Sequence, residues 1–161
     1  MADAWTVLTA AAAAASHEET YPARAEQYGR LLRGFLDAGR AFAGIEVVKA
    51  EAVRLELRGR MAALFEEVDL LLLPPGPWSH IGLEGFGRTI ADPAASNRVL
   101  ACTAPFNLSG HPALTLPGGL SPSGLPVAVQ LAGPHLAEGL LLRVGHALQQ
   151  RTDWHARRPP L

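Results

Sequence analysis

The chain has 161 residues, 48% of them hydrophobic and 18% charged, with a net charge of −1. That length fits a single domain able to bury about 70% of the surface its unfolded chain exposes. The composition excludes a disordered chain, and the near-neutral, scattered charge gives no nucleic-acid or anionic-membrane partner a footing. The basic residues are thirteen Arg and one Lys, Lys49, and Arg157-Arg158 is their only adjacent pair. One cysteine, Cys102, excludes an internal disulfide and fits a reducing compartment, with a small core position as its expected place. The opening MADAWTVLTAAAAAAS carries Asp3 and no Lys or Arg before its apolar run, so it does not read as a signal peptide. No uninterrupted apolar run reaches ~18 residues, so no transmembrane helix is expected. A soluble cytoplasmic protein is the expectation.

Residues 4–19 are alanine-rich and predict a closely packed helix, broken at Tyr21-Pro22. Residues 25–38 carry Tyr28, Leu31, Leu32, Phe35 and Leu36 near helical spacing, with Gly39 as the expected stop. A long helix is predicted over 44–67. Its Ile45, Val48, Ala52 and Leu55 share one side, while Leu57, Met61, Leu64 and Phe65 fall nearly opposite, with Gly59 near the switch. Such a helix either kinks or is sandwiched between two partners.

Val68-Asp69-Leu70-Leu71-Leu72-Leu73 reads as a short, fully buried strand of a parallel or mixed sheet. Residues 74–91, with three prolines and four glycines, read as a long loop. Asp92-Pro93 predicts a helix start, with Asp as N-cap and Pro at the first helical position, running to about Ala104. Residues 113–117 and 126–131 read as two strands, with turns marked at Gly118-Gly119 and Ser121-Pro122-Ser123-Gly124. A last amphipathic helix carries Leu136, Leu140, Leu141, Val144 and Leu148, and a tail, 151–161, ends the chain. The single domain thus divides into a helical part (1–67), a strand and variable loop (68–91), and a helix, two strands and final helix (92–150). Three short strands make a poor sheet by themselves and would do better in a larger one.

No complete catalytic set emerges. Ser109 and His111 with Asp92 or Asp153 form a triad on paper, but the context N-L-S-G-H-P is not the G-x-S-x-G elbow that presents a nucleophile. Ser109 is expected to satisfy backbone groups in a turn. No two of the six histidines have helical zinc-pair spacing, so no metal is expected. Cys102 sits near the predicted end of its helix, where the dipole opposes a thiolate. Lys49 reads as a solvated or snorkelling side chain, and Gly82-x-x-Gly85-x-Gly87 lacks the Lys-Ser/Thr of a phosphate cradle. No cofactor is expected.

Three phrases, taken together in order and spacing, carry a resemblance. They are Pro105-Phe106-Asn107-Leu108-Ser109-Gly110-His111-Pro112-Ala113, then residues 124–133 (GLPVAVQLAG), then 141–148 (LLRVGHAL) running on to Thr152-Asp153-Trp154-His155-Ala156-Arg157-Arg158-Pro159. The sequence resembles the C-terminal end of amidase-signature enzymes. Residues 66–74 resemble the family strand that precedes its variable loop, so the likeness spans the chain but only about the last third of a family member. It implies an α/β fold: a three-layer α/β/α-type partial mixed sheet flanked by helices.

Family members cleave amide bonds, or transfer ammonia from them, with a serine nucleophile, a bridging serine and a lysine base, both serines in or beside a Gly/Ser-rich run. No such run occurs here, and Lys49 does not stand at the catalytic position. No catalytic residue carries over. What remains would supply a wall of the substrate cleft, for which Trp78, Phe86, Cys102, Thr103, Phe106 and Asn107 are the candidates. The expected partner is an absent N-terminal amidase part or a second copy of the chain. A non-catalytic binding or oligomerisation module is the alternative.

Overall fold

A computed structural model describes residues 1–77 and 82–158. It divides into two compact units, residues 1–57 and 58–161, with the division falling inside one long helix.

In the first unit, α1 (Ala2–Ser16) packs on α2 (Arg30–Ala41), linked by turns and a short 3-10 segment at Ala25–Gln27. Alanine permits the approach: Ala4, Ala10 and Ala14 are buried. Gly39 does not stop α2, as the sequence led one to expect. The helix runs on to Ala41, and Gly39 is where α1 comes closest, since a Cβ there would lie 2.0 Å from the Ala10 carbonyl oxygen. Tyr21 is buried, and its hydroxyl donates to Asp37 at 2.6 Å. Edge-on ring contacts join Tyr28 to Tyr21 and to His17.

The helix α3 spans Gly44–Glu67, as predicted. Its side bearing Leu57, Met61 and Phe65 is buried or half-buried, whereas Ile45, Val48 and Leu55 on the other side are 60%, 64% and 55% exposed.

The second unit holds the sheet. Its strands β1 (Leu71–Leu73), β2 (Ala113–Leu120) and β3 (Pro126–Ala132) lie in the order β1-β3-β2. Both pairings are antiparallel, so within these three strands the parallel component expected from the leucine run does not occur. Nor is that run fully buried. Only three residues pair, at the sheet edge, and Leu72 is 67% exposed. In register, Leu116 faces Val129 and Leu114 faces Leu131. These side chains meet α6 (Glu138–Arg151) in a core of Leu116, Leu131 and Leu141, flanked by Leu70, Leu114, Val129, Val144 and Leu148. Each leucine buried this way contributes roughly 1.5–3 kcal/mol. Gly145 lets α6 come down on the sheet, since a Cβ there would lie 2.8 Å from the Leu114 side chain.

Gly118-Gly119 is not a turn but an irregularity inside β2, where the register shifts between Pro117 and Gly119. The reversal comes at residues 121–125. The Ser121 hydroxyl accepts from the Leu125 N–H at 3.1 Å, and Gly124 takes φ +79°.

Residues 74–91 are not all loop. Leu83–Ala91 form a helix, α4. Leu83, Phe86 and Ile90 have helical spacing, and Glu84 pairs with Arg88 one turn on at 3.8 Å. The glycines at 85 and 87 mask this pattern, because they lower helix propensity without forbidding the helix.

Candidate cleft wall and the buried Ser109–His111 pair

The helix α5 (Pro93–Ser109) begins as its sequence dictates. The Asp92 carboxylate accepts from the Ala94 N–H at 3.0 Å, and Pro93 occupies the first helical position, where no N–H is needed. It runs five residues past the expected end at Ala104, through Pro105, and closes at Gly110 in the left-handed conformation, whose N–H donates to the Phe106 carbonyl at 2.8 Å. Proline inside a helix removes one backbone donor. One turn earlier, the buried Gln130 of β3 donates to the Cys102 carbonyl at 3.1 Å, which fastens α5 to the sheet. With α6 packed on the leucine-bearing side of the sheet, this bond sets the α/β/α layering.

The continuous helix brings four of the predicted wall residues together within two turns. Cys102 and Thr103 are half-buried, Phe106 is buried and Asn107 is exposed. Cys102 is therefore not the core residue expected; its thiol faces the Arg98 carbonyl at 3.8 Å. Phe86 lies on α4, which packs on α5, and is 47% exposed. Trp78 and His80 lie outside the described residues.

Ser109 is the last residue of α5, 1% exposed, and its Oγ lies 2.8 Å from His111 Nδ1. It is not a turn residue satisfying backbone groups; its partner is a side chain. The His111 ring stacks on Phe65 of α3 at 5.0 Å and contacts the His135 ring at 4.0 Å between centroids. Burial pushes the His111 pKa below its ordinary value, and the charges of His135 and Arg58 push it the same way. A neutral imidazole with a buried hydroxyl partner results. Neither candidate acid joins the pair: Asp92 caps α5, and Asp153 binds Arg157. Sequence reasoning missed Phe65, His135 and Gln130, because nothing in their spacing ties them to residues 102–111.

Among the described residues no group of three or more His, Cys, Asp or Glu side chains is placed to hold a metal. Among them, too, no helix is long and apolar enough to cross a membrane.

The Amidase family model matches residues 1–142. The chain belongs to the amidase family. It is 42% identical over 148 residues to the protein named "Putative amidase AmiD" of Mycobacterium tuberculosis, covering 92% of this chain and 31% of that protein. It is 45% identical over 113 residues to a glutamyl-tRNA(Gln) amidotransferase protein of Chloroflexus aggregans, covering 70% of this chain and 22% of that protein. Among solved structures, a 6-aminohexanoate cyclic dimer hydrolase complexed with its substrate matches with a TM-score of 0.76 at 26% identity, covering 98% of this chain and 36% of that one. The chain thus spans about a third of the length of the amidase-family proteins it resembles.

Proposed function

We propose that these 161 residues act as one domain-sized C-terminal part of an amide C–N hydrolase of the amidase family, without its catalytic residues and inactive alone. The observation that carries this reading is the sealed Ser109–His111 pair. A hydroxyl that is 1% exposed and has no carboxylate behind its histidine cannot reach an amide carbonyl. The one lysine, Lys49, is exposed on α3. The nucleophile, the base and the oxyanion donors act as a unit, and loss of the nucleophile alone costs on the order of 10⁶ in rate. The catalytic serines and lysine would come from the family's N-terminal part, on the same polypeptide or another.

In that assembly α4 and α5 contribute cleft wall. Phe86 and Asn107 are exposed, Cys102 and Thr103 half-buried and Phe106 buried. The single cysteine supports a cytoplasmic setting.

The test is amide hydrolysis by the purified chain, alone and mixed with the N-terminal two-thirds of a relative. No turnover alone and turnover on mixing, unaffected by Ser109→Ala, are the expected results. Turnover by the chain alone that Ser109→Ala abolishes would overturn the reading. A stand-alone oligomerisation module is the second reading, and the exposed apolar side of α3 is the observation that favours it.

A further inference from the structure

Two segments of the second unit, far apart in sequence, close on each other beside His111. One is residues 109–112 at the end of α5, where Gly110 takes φ +76°. The other is the loop between β3 and α6, where the Ala137 N–H donates to the Pro134 carbonyl at 3.2 Å and closes a turn. The Gly133 N–H donates to the Pro112 carbonyl at 3.1 Å and joins the two backbones. Their side chains meet where the His111 and His135 rings lie 4.0 Å apart between centroids, with 30° between their planes. A Cβ at Gly110 would lie 3.6 Å from His135 Cε1, so the α5 cap also rests on His135.

The turn is strained. Leu136, its third residue, takes φ +64°, and among the described residues it is the only non-glycine with a positive φ. Gly or Asn ordinarily fills such a position, and a leucine stays there only where its surroundings hold it.

We propose that the His111–His135 contact is an acid-opened latch: with both rings neutral it holds the strained turn 134–137 on the end of α5, and proton uptake by the pair parts the rings and lets the turn swing away. The latch goes beyond the amidase reading and does not depend on it.

Burial and charge supply the trigger. His111 is 5% exposed, so a charge there is poorly solvated. The charges that act on it, Arg58 from α3 and His135 from the loop, are both positive. The other neighbours are uncharged: the Ser109 hydroxyl of α5 and the Phe65 ring of α3. Burial first, then these two charges, lower the His111 pKa from 6.5, so the latched form takes up the proton less readily than an opened one in which water reaches the ring. The latch is therefore held above the ordinary value, and its opening constant grows as pH falls below it, by up to about tenfold per pH unit for each proton taken up. Leu136 leaves the left-handed region on opening, which poises the turn to move.

Amide hydrogen exchange of the full chain, followed by NMR from about pH 7.5 to about pH 5 and corrected for intrinsic rates, tests this. The opening constants of the Gly133 and Ala137 N–H groups are expected to rise at least about tenfold over that range, while amides in the middle of β3 keep their protection. His135→Gln and His111→Gln should each flatten the rise. Leu136→Asn should lower the opening constant roughly threefold at every pH, because asparagine tolerates the left-handed region. Opening that does not respond to pH overturns the latch. Loss of protection in the middle of β3 in step with Gly133 and Ala137 also overturns it, since that is acid unfolding of the whole unit. A rise that persists in both Gln variants overturns the assignment to the two histidines. Leu136→Asn without effect overturns the role of strain. The unaltered chain's profile, with the His111 ring signal titrating across the same range, decides the latch even where a variant fails to fold.

Discussion

Ser109→Ala separates a structural serine from a nucleophile. The hydroxyl is 1% exposed and lies 2.8 Å from Nδ1 of His111, whose ring contacts those of Phe65 and His135. Removing it leaves a buried imidazole nitrogen without a partner, at a cost of about 1–3 kcal/mol. Alanine returns about 0.5 kcal/mol at this last helical position through its better helix propensity. The net loss is about 0.5–2.5 kcal/mol, and at this chain length each kcal/mol moves Tm by about 2–4 °C, giving a fall of roughly 1–10 °C. Thermal unfolding followed by circular dichroism reads the shift. Amide hydrolysis, measured in the mixture with a relative's N-terminal part, reads the function. A Tm unchanged by the substitution, together with loss of hydrolysis, would refute the reasoning, because it is the pattern of an accessible nucleophile that stabilises nothing.

Two further substitutions and a pH profile extend the test. On α2, Gly34→Ala meets nothing within 4 Å and should stabilise the chain by about 0.8–1 kcal/mol. Gly39→Ala, on the same helix, drives a methyl into the Ala10 carbonyl and should destabilise by about 1–3 kcal/mol in urea unfolding; the same sign for both would show that α1 and α2 are not in close contact. The depressed pKa of His111 means that the unfolded chain takes up this proton more readily than the folded one. The stability this residue contributes is therefore present above its ordinary value of 6.5 and lost as pH falls below it. His111→Gln should flatten that slope, and a slope unaltered by the change would place the acid sensitivity elsewhere.

Local chemistry made much of the fold legible. Asp92-Pro93 starts α5, and the periodicity over about 44–67 marks α3. Where reading failed, a local signal competed with packing. Glycines hid α4, Pro105 hid the last turn of α5, and Gly39 looked like a stop because a close approach from α1 is invisible in sequence. The wall candidates on α5 were legible because they are close in sequence. The surroundings of His111 were not, since Arg58, Phe65 and His135 come from segments far apart in the chain.

By itself the sequence determined membership of the amidase family, through its motifs and the family match, and the lack of a Gly/Ser-rich run and the two-sided character of α3, which composition and spacing carry directly. Only the tertiary structure decided what Ser109 does and which side of α3 is left open. Those outcomes depend on burial, and burial is set by contacts between distant segments: a hydroxyl enclosed by α3, α5 and the loop after β3 is a core hydrogen bond, and the same hydroxyl in an open turn would face solvent.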